Sequence, residues 1–249
     1  MAEARTGKAG GERVGSGGVG VLVHRGLVVV TAVLLIGTLQ FVFLRVPTEA
    51  TMGIVQKIFY FHVPAAYGMY LGATVCFVGS AAYLYRGTPR WDALARAGAE
   101  VAVAMGLIVL ITGPLWAAKA WGKFWTWDPR LTTSLLSVLI YVAYVVLRRF
   151  VGSGESERRF SAALGVLGAA NLPIIHFSVQ KWGGQHPKVI TGGGGGLSHP
   201  DMKLALGLGF LTFTLLVVTL IWERVRLHRA AYRLEALEEQ AIELGLTQD

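Results

Sequence analysis

Long runs of apolar side chains alternate with short polar connections along this chain. Six runs stand out, at residues 22–44, 63–85, 97–118, 131–147, 160–177 and 204–222. About 20 helical residues at about 1.5 Å rise each cross a bilayer core about 30 Å thick. The runs are near this length, the fourth and fifth being short, and they carry few ionisable residues, with Glu100 near an end of the third. Hydrocarbon offers no partner to backbone polar groups, so spanning segments are helices or a closed barrel. Continuous apolar runs without period-two alternation select helices. The pattern predicts an all-α polytopic integral membrane protein with six transmembrane helices.

Lys and Arg orient such a bundle. Fifteen lie before span one or, as Arg25, at its very start, in the second and fourth connections and after span six; eight lie in the other three connections. Both termini are therefore expected to be cytoplasmic, and the three odd-numbered connections outward. Composition agrees. Of 249 residues 53% are hydrophobic and 15% charged, where soluble domains carry about 25% charged residues. This excludes a soluble enzyme and a disordered chain. The net charge of +8 reads as a topology signal, so no nucleic-acid partner is expected. One cysteine, Cys76, permits no internal disulfide and no thiolate cluster.

Residues 1–20 contain seven Gly and no apolar run, which predicts a disordered cytoplasmic tail. The apolar run that follows exceeds the 7–15 residues of a signal-peptide core, so it reads as a retained anchor. The six-span domain occupies residues 21–222. Residues 223–249 form an expected cytoplasmic amphipathic helical tail. There Leu227, Ala230, Leu234, Leu237, Ala241 and Leu244 are spaced 3, 4, 3, 4, 3, a heptad-like stripe. The stripe either lies on the chain's own bundle or docks a partner.

Candidate chemistry sits in the outward connections. The third holds Trp121, Trp125 and Trp127 within seven residues, with Phe124 among them and Trp116 just before. An aromatic belt explains one or two Trp per helix end but poorly explains this cluster, which suits a flat ligand. Asp128-Pro129 reads equally as the cap and first residue of span four. In the first connection Pro64 disfavours helix at Val63, which places His62 at a break at the outer mouth. In the fifth, His186 lies in a Gly-rich polar stretch outside the hydrocarbon. His176 is expected to pack or hydrogen-bond within the bundle, and His199 to be a poor fixed ligand; His24 and His228 are on the cytoplasmic side. Two outward His and a Trp platform suit a planar metal macrocycle, since haem iron takes axial imidazoles. Arg130, Lys123, Lys181 and Lys188 are available for its propionates. Zinc would ask for three or four clustered ligands.

The segment from Trp121 to Thr132 resembles the tryptophan-rich "WWD" signature of haem-handling proteins. The strings Tyr60-Phe-His62-Val-Pro-Ala-Ala and Asn171-Leu-Pro-Ile-Ile-His176 are similar to those of CcmC, the haem exporter protein C family of cytochrome c maturation, over residues 21–222. The resemblance implies non-covalent binding of b-type haem at the outer face of the bacterial cytoplasmic (inner) membrane and its presentation to a periplasmic haem chaperone, CcmE-like. It implies His62 and His186 as axial ligands and a metal site, with His176 a nearby non-ligand. It assigns the segment from Trp121 to Asp128, with Trp125 and Trp127, to contact with haem and chaperone, and Arg130 joins the cofactor-binding set through its charge. It also implies membrane partners of the CcmB and CcmD type and an ATP-binding subunit of the CcmA type; the chain has no G-x-x-x-x-G-K-[ST] pattern of its own. Phe124 stands where relatives often carry Trp, and the five glycines 192–196 depart from the family pattern. A free-standing enzyme is not expected. Alternatives are a haem transporter subunit of an ABC-type complex, a cytochrome c synthase component, and an assembly scaffold acting through the tail.

Overall fold

A computed structural model describes residues 15–150, 154–186 and 197–246. Its helices are α1 (Gly15–Leu44), α2 (Phe59–Arg86), α3 (Pro89–Trp121), α4 (Pro129–Phe150), α5 (Glu155–Trp182) and α6 (Pro200–Glu243). A short 3-10 helix (Ile54–Ile58) leads into α2. All six are long and apolar enough to cross a membrane, and the described residues contain no strand. The all-α, six-span architecture read from the apolar runs is the one observed.

The helices outrun the apolar runs because their ends are set by caps. Prolines open α3, α4 and α6 at the first helical position, where the missing N–H costs nothing. Gly87 and Gly122 close α2 and α3 with φ of 63° and 71°, the left-handed turn that favours glycine. α1 begins at Gly15, so the end of the Gly-rich segment expected to be disordered is helical. Residues 1–14 and the glycines 192–196 lie outside the described residues.

A second difference concerns His62, which was expected at a break. It lies in the first turn of α2, with Pro64 inside the helix. So near a helix start, Pro64 forgoes one backbone bond, to the Tyr60 carbonyl, and the helix tolerates this.

The core is built from close backbones. α2 and α3 form the most extensive helix pair. A Cβ on Gly72 would stand 2.7 Å from the Ala102 nitrogen, and one on Gly79 2.5 Å from that of Ala95. Small residues let membrane helices approach this closely, and the packing so gained replaces the hydrophobic driving force that lipid removes. Ala73, Ala95, Ala99 and Cys76 fill the seam, each fully buried. Polar side chains join other pairs. Thr31 meets Thr219 at 3.0 Å and Thr38 meets Thr212 at 2.8 Å between α1 and α6. Such bonds are worth about 0.6 kcal/mol each on average. Asn171, a polar residue inside the fifth span, donates to the Thr133 carbonyl and the Ser137 hydroxyl, both at 2.7 Å. It fastens α5 to α4.

The far end of α6 extends the sixth span over the bundle. α6 is one unbroken helix of 44 residues, about 66 Å long. Its outer half lies on its own bundle, but through polar residues. Glu100 of α3 accepts from Arg224 Nε at 2.5 Å and His228 Nε2 at 3.1 Å. Asp92 pairs with Arg148 at 2.6 Å and accepts from the Tyr232 hydroxyl, while Arg148 also pairs with Glu157 at 3.1 Å. Asp92, Arg148 and Glu157 are buried together. The heptad-like stripe faces away: Leu227, Leu234, Leu237 and Leu244 are all exposed.

This ionic cluster joins the start of α3, the end of α4, the start of α5 and the outer half of α6. The connections after α1, α3 and α5 gather at the opposite end, where the candidate site lies.

Candidate functional site

An apolar cavity of about 640 Å³ opens at that end, within the range of about 300–1,000 Å³ usual for small-molecule sites. Its wall includes His62 of α2, Trp116 and Trp121 of α3, Trp125 from the connection, Arg130 of α4 and His186 beyond α5. The start of α2, the connection after α3 and the segment after α5, far apart in sequence, therefore converge on one chamber.

His62 is held from behind. Its Nδ1 lies 2.8 Å from the Thr112 hydroxyl of α3, and that hydroxyl sits 2.6 Å from the Ile108 carbonyl. A hydroxyl has one proton to give. Thr112 donates it to Ile108, as helical threonines commonly do, and so accepts from His62 Nδ1–H. Nε2 then carries the lone pair, the arrangement in which a histidine is ready to ligate metal. A Cβ on Gly113 would stand 3.2 Å from His62 Cε1, so glycine there leaves room for the ring.

Arg130 reaches across from the first turn of α4. It donates to the Ile175 carbonyl at 3.4 Å, the His176 carbonyl at 2.9 Å and His186 Nδ1 at 3.2 Å. All three acceptors are neutral, and no carboxylate forms an ion pair with it among the described residues. A guanidinium so placed in an apolar wall is suited to a ligand carboxylate.

The aromatic residues divide. Trp116 and Trp121 meet edge to face at 5.7 Å, and so do Trp125 and Trp127. Trp121 and Trp125 line the cavity, but Trp127 does not and is 76% exposed. The Trp125 indole N–H is buried and has no hydrogen-bond partner among the described residues. Asp128 is also off the cavity wall. Its Oδ1 accepts from the Leu131 N–H at 2.9 Å, so it caps α4, which was the plainer reading of Asp128-Pro129.

His176 is not packed into the bundle as expected. It is exposed, its ring meets Phe177 edge to face at 4.9 Å, and it adds a third imidazole to the wall. His199 caps α6 by accepting from the Asp201 N–H at 3.1 Å. Lys123 and Lys181 do not line the cavity, and Lys188 lies outside the described residues. Trp116, named with the Trp cluster, lines the cavity, while Thr112, Gly113 and Tyr70 belong to the site or its support and were not singled out for it from the sequence. Thr112 carried one signal, a polar residue inside a span.

The donor set narrows the chemistry. No group of three or more His, Cys, Asp or Glu among the described residues could hold a metal ion. A ligand bringing its own equatorial donors needs only axial imidazoles, and the apolar wall, the unpaired indole N–H and Arg130 fit such a flat, carboxylate-bearing ligand.

Comparison with known proteins gives the family. The family model described as heme exporter protein C matches residues 19–240. The chain is 34% identical to the heme exporter protein C of Bradyrhizobium diazoefficiens, over 81% of this chain and 74% of that protein. It is 30% identical to that of Rhodobacter capsulatus, over 86% and 89% of the two chains. With that of Escherichia coli K12 it shares 32% identity over 72% and 73%.

Proposed function

Because the chain belongs to the heme exporter protein C family, we propose that it binds haem in this cavity and presents it to a periplasmic CcmE-like haem chaperone for c-type cytochrome biogenesis. The observation that carries the reading is the convergence of His62, His186, Trp121, Trp125 and Arg130 on one apolar chamber. The reading places the chain in the bacterial inner membrane with both termini cytoplasmic and the cavity on the periplasmic side. CcmB-like and CcmD-like membrane subunits and a CcmA-like ATP-binding subunit are its partners.

In this reading each residue has a separable task. His62 and His186 supply axial nitrogens to the iron of a non-covalently held b-type haem. Trp121 and Trp125 hold the ring's apolar faces and edge. Arg130 pairs with a propionate. Trp127 stands outside the chamber, exposed, where an approaching chaperone would meet it. Handover needs no bond broken in the macrocycle, and nothing in the site calls for an acid, a base or a nucleophile. Presentation suits the site better than passage through the bundle, since Asn171 is committed to α4.

The test is the absorption spectrum. Protein purified from haem-replete membranes shows a Soret band that His62→Ala or His186→Ala diminishes, while His176→Ala leaves it. A band intact in the His62→Ala/His186→Ala double variant rejects the ligand assignment.

A further inference from the structure

Of the three imidazoles on the chamber wall, His62 and His186 are held in opposite ways. Thr112 takes a proton from His62 Nδ1 and leaves Nε2 with its lone pair. Arg130 has N–H donors and no acceptor, so at 3.2 Å its Nη1 donates and His186 Nδ1 accepts. A neutral His186 bound this way carries its ring proton on Nε2. The lone pair it could offer a metal is already engaged. We infer that Arg130 is a latch on His186, released by the carboxylate of an incoming metalloporphyrin. This rests on the haem reading above and adds an order of events to it.

The exclusion holds whichever nitrogen is used. Ligation through Nδ1 needs the same lone pair that Arg130 occupies. Ligation through Nε2 moves the ring proton to Nδ1, which then confronts an Arg130 N–H with another N–H. In either case the Arg130–His186 bond breaks as the metal–nitrogen bond forms, and the ring stays neutral with one proton.

A carboxylate can drive the exchange. The bond from Arg130 to neutral His186 carries charge on the donor alone, whereas a carboxylate brings charge to both sides and can take a guanidinium N–H in the short, strong geometry of an ion pair. Arg130 stays anchored meanwhile, since its Nε and Nη2 donate to the Ile175 and His176 carbonyls. Only its Nη1 must change partner. A cargo with free carboxylates therefore unlatches its own second ligand, and its departure returns Arg130 to His186. His62 has no such competitor in the contacts that hold it, and it engages first.

The experiment uses full-length protein in detergent, titrated with haemin and with haemin dimethyl ester, which has no free carboxylate. The readouts are affinity and the fraction of six-coordinate, low-spin spectrum. Wild type binds the ester more weakly than haemin. Arg130→Met binds the ester about tenfold tighter than wild type does, the equivalent of one charge-assisted bond no longer broken, and gains six-coordinate character; it binds haemin less tightly. If Arg130→Met leaves the ester unchanged or weakened, the latch is overturned and Arg130 serves the propionate alone. Arg130→Gln, which keeps a donor for the α5 carbonyls, gives the same readout should the Met variant fold poorly. Wild type that binds neither porphyrin, or binds both independently of His62 and His186, overturns the haem site itself along with the latch.

Discussion

His62 Nδ1 and the Thr112 hydroxyl stand 2.8 Å apart, bridging α2 and α3 across 50 positions of sequence. The bond fixes both the direction of the imidazole and the nitrogen that bears its proton.

Thr112→Val keeps the shape of the side chain and removes the acceptor. Loss of a histidine's supporting partner typically costs 10–100-fold in metal affinity, so haem affinity measured by Soret titration falls by about that factor while the folded fraction is unchanged. Thr112→Ser restores it. Unaltered affinity in the Val variant would mean that packing alone orients His62.

The division between Trp125 and Trp127 separates binding from delivery. Trp125→Ala removes a wall of the chamber and lowers haem affinity about two- to tenfold, the equivalent of an aromatic contact of about 0.5–1.5 kcal/mol. Trp127→Ala leaves haem affinity as in wild type and slows transfer to a purified chaperone. Equal loss of binding in both variants would contradict the exposed position of Trp127.

The outer half of α6 can be probed from both faces. Asp92→Leu leaves the buried Arg148 with Glu157 as its remaining carboxylate partner and costs at most the ~3–5 kcal/mol of a broken buried pair, seen as a lower thermal midpoint in tryptophan fluorescence. Tyr232→Phe removes one partner of Asp92 and lowers the midpoint less, by the equivalent of about 1–3 kcal/mol. Leu234→Gln with Leu237→Gln, on the exposed stripe, stays within about 0.5 kcal/mol of wild type per site. A large loss from the leucine pair would show that the stripe packs after all.

The sequence made part of this readable. Six spans were legible because a bilayer imposes one rule, continuous apolarity, on every crossing segment. The capping of α4 by Asp128 was legible because the signal is local, two adjacent residues with known positional preferences. Thr112 was visible only as an oddity inside a span, because its meaning depends on α2 lying against α3. The tail shows the limit of periodicity. Its stripe of Leu227, Leu234, Leu237 and Leu244 is real, yet the face that packs is the charged one. Asp92, Glu100, Arg148 and Glu157 are scattered over three other helices, and only the fold assembles them into a dock. His62 was placed at a break because Pro64 is a strong local signal. The cost of proline is one backbone bond so near a helix start, and the helix bears it.

The glycine-lined seam between α2 and α3 has a mechanical consequence. Main chains in such close contact cannot slide or part without losing their contacts along the whole seam, so these two helices behave as a single plank. His62, Thr112, Trp116 and Trp121 ride on that plank. Arg130, His176 and His186 belong to the facing side, built from the start of α4 and the end of α5. Any widening or narrowing of the chamber as cargo enters and leaves must therefore be borne by that facing side, which makes the vessel a fixed jaw opposed by a moving one.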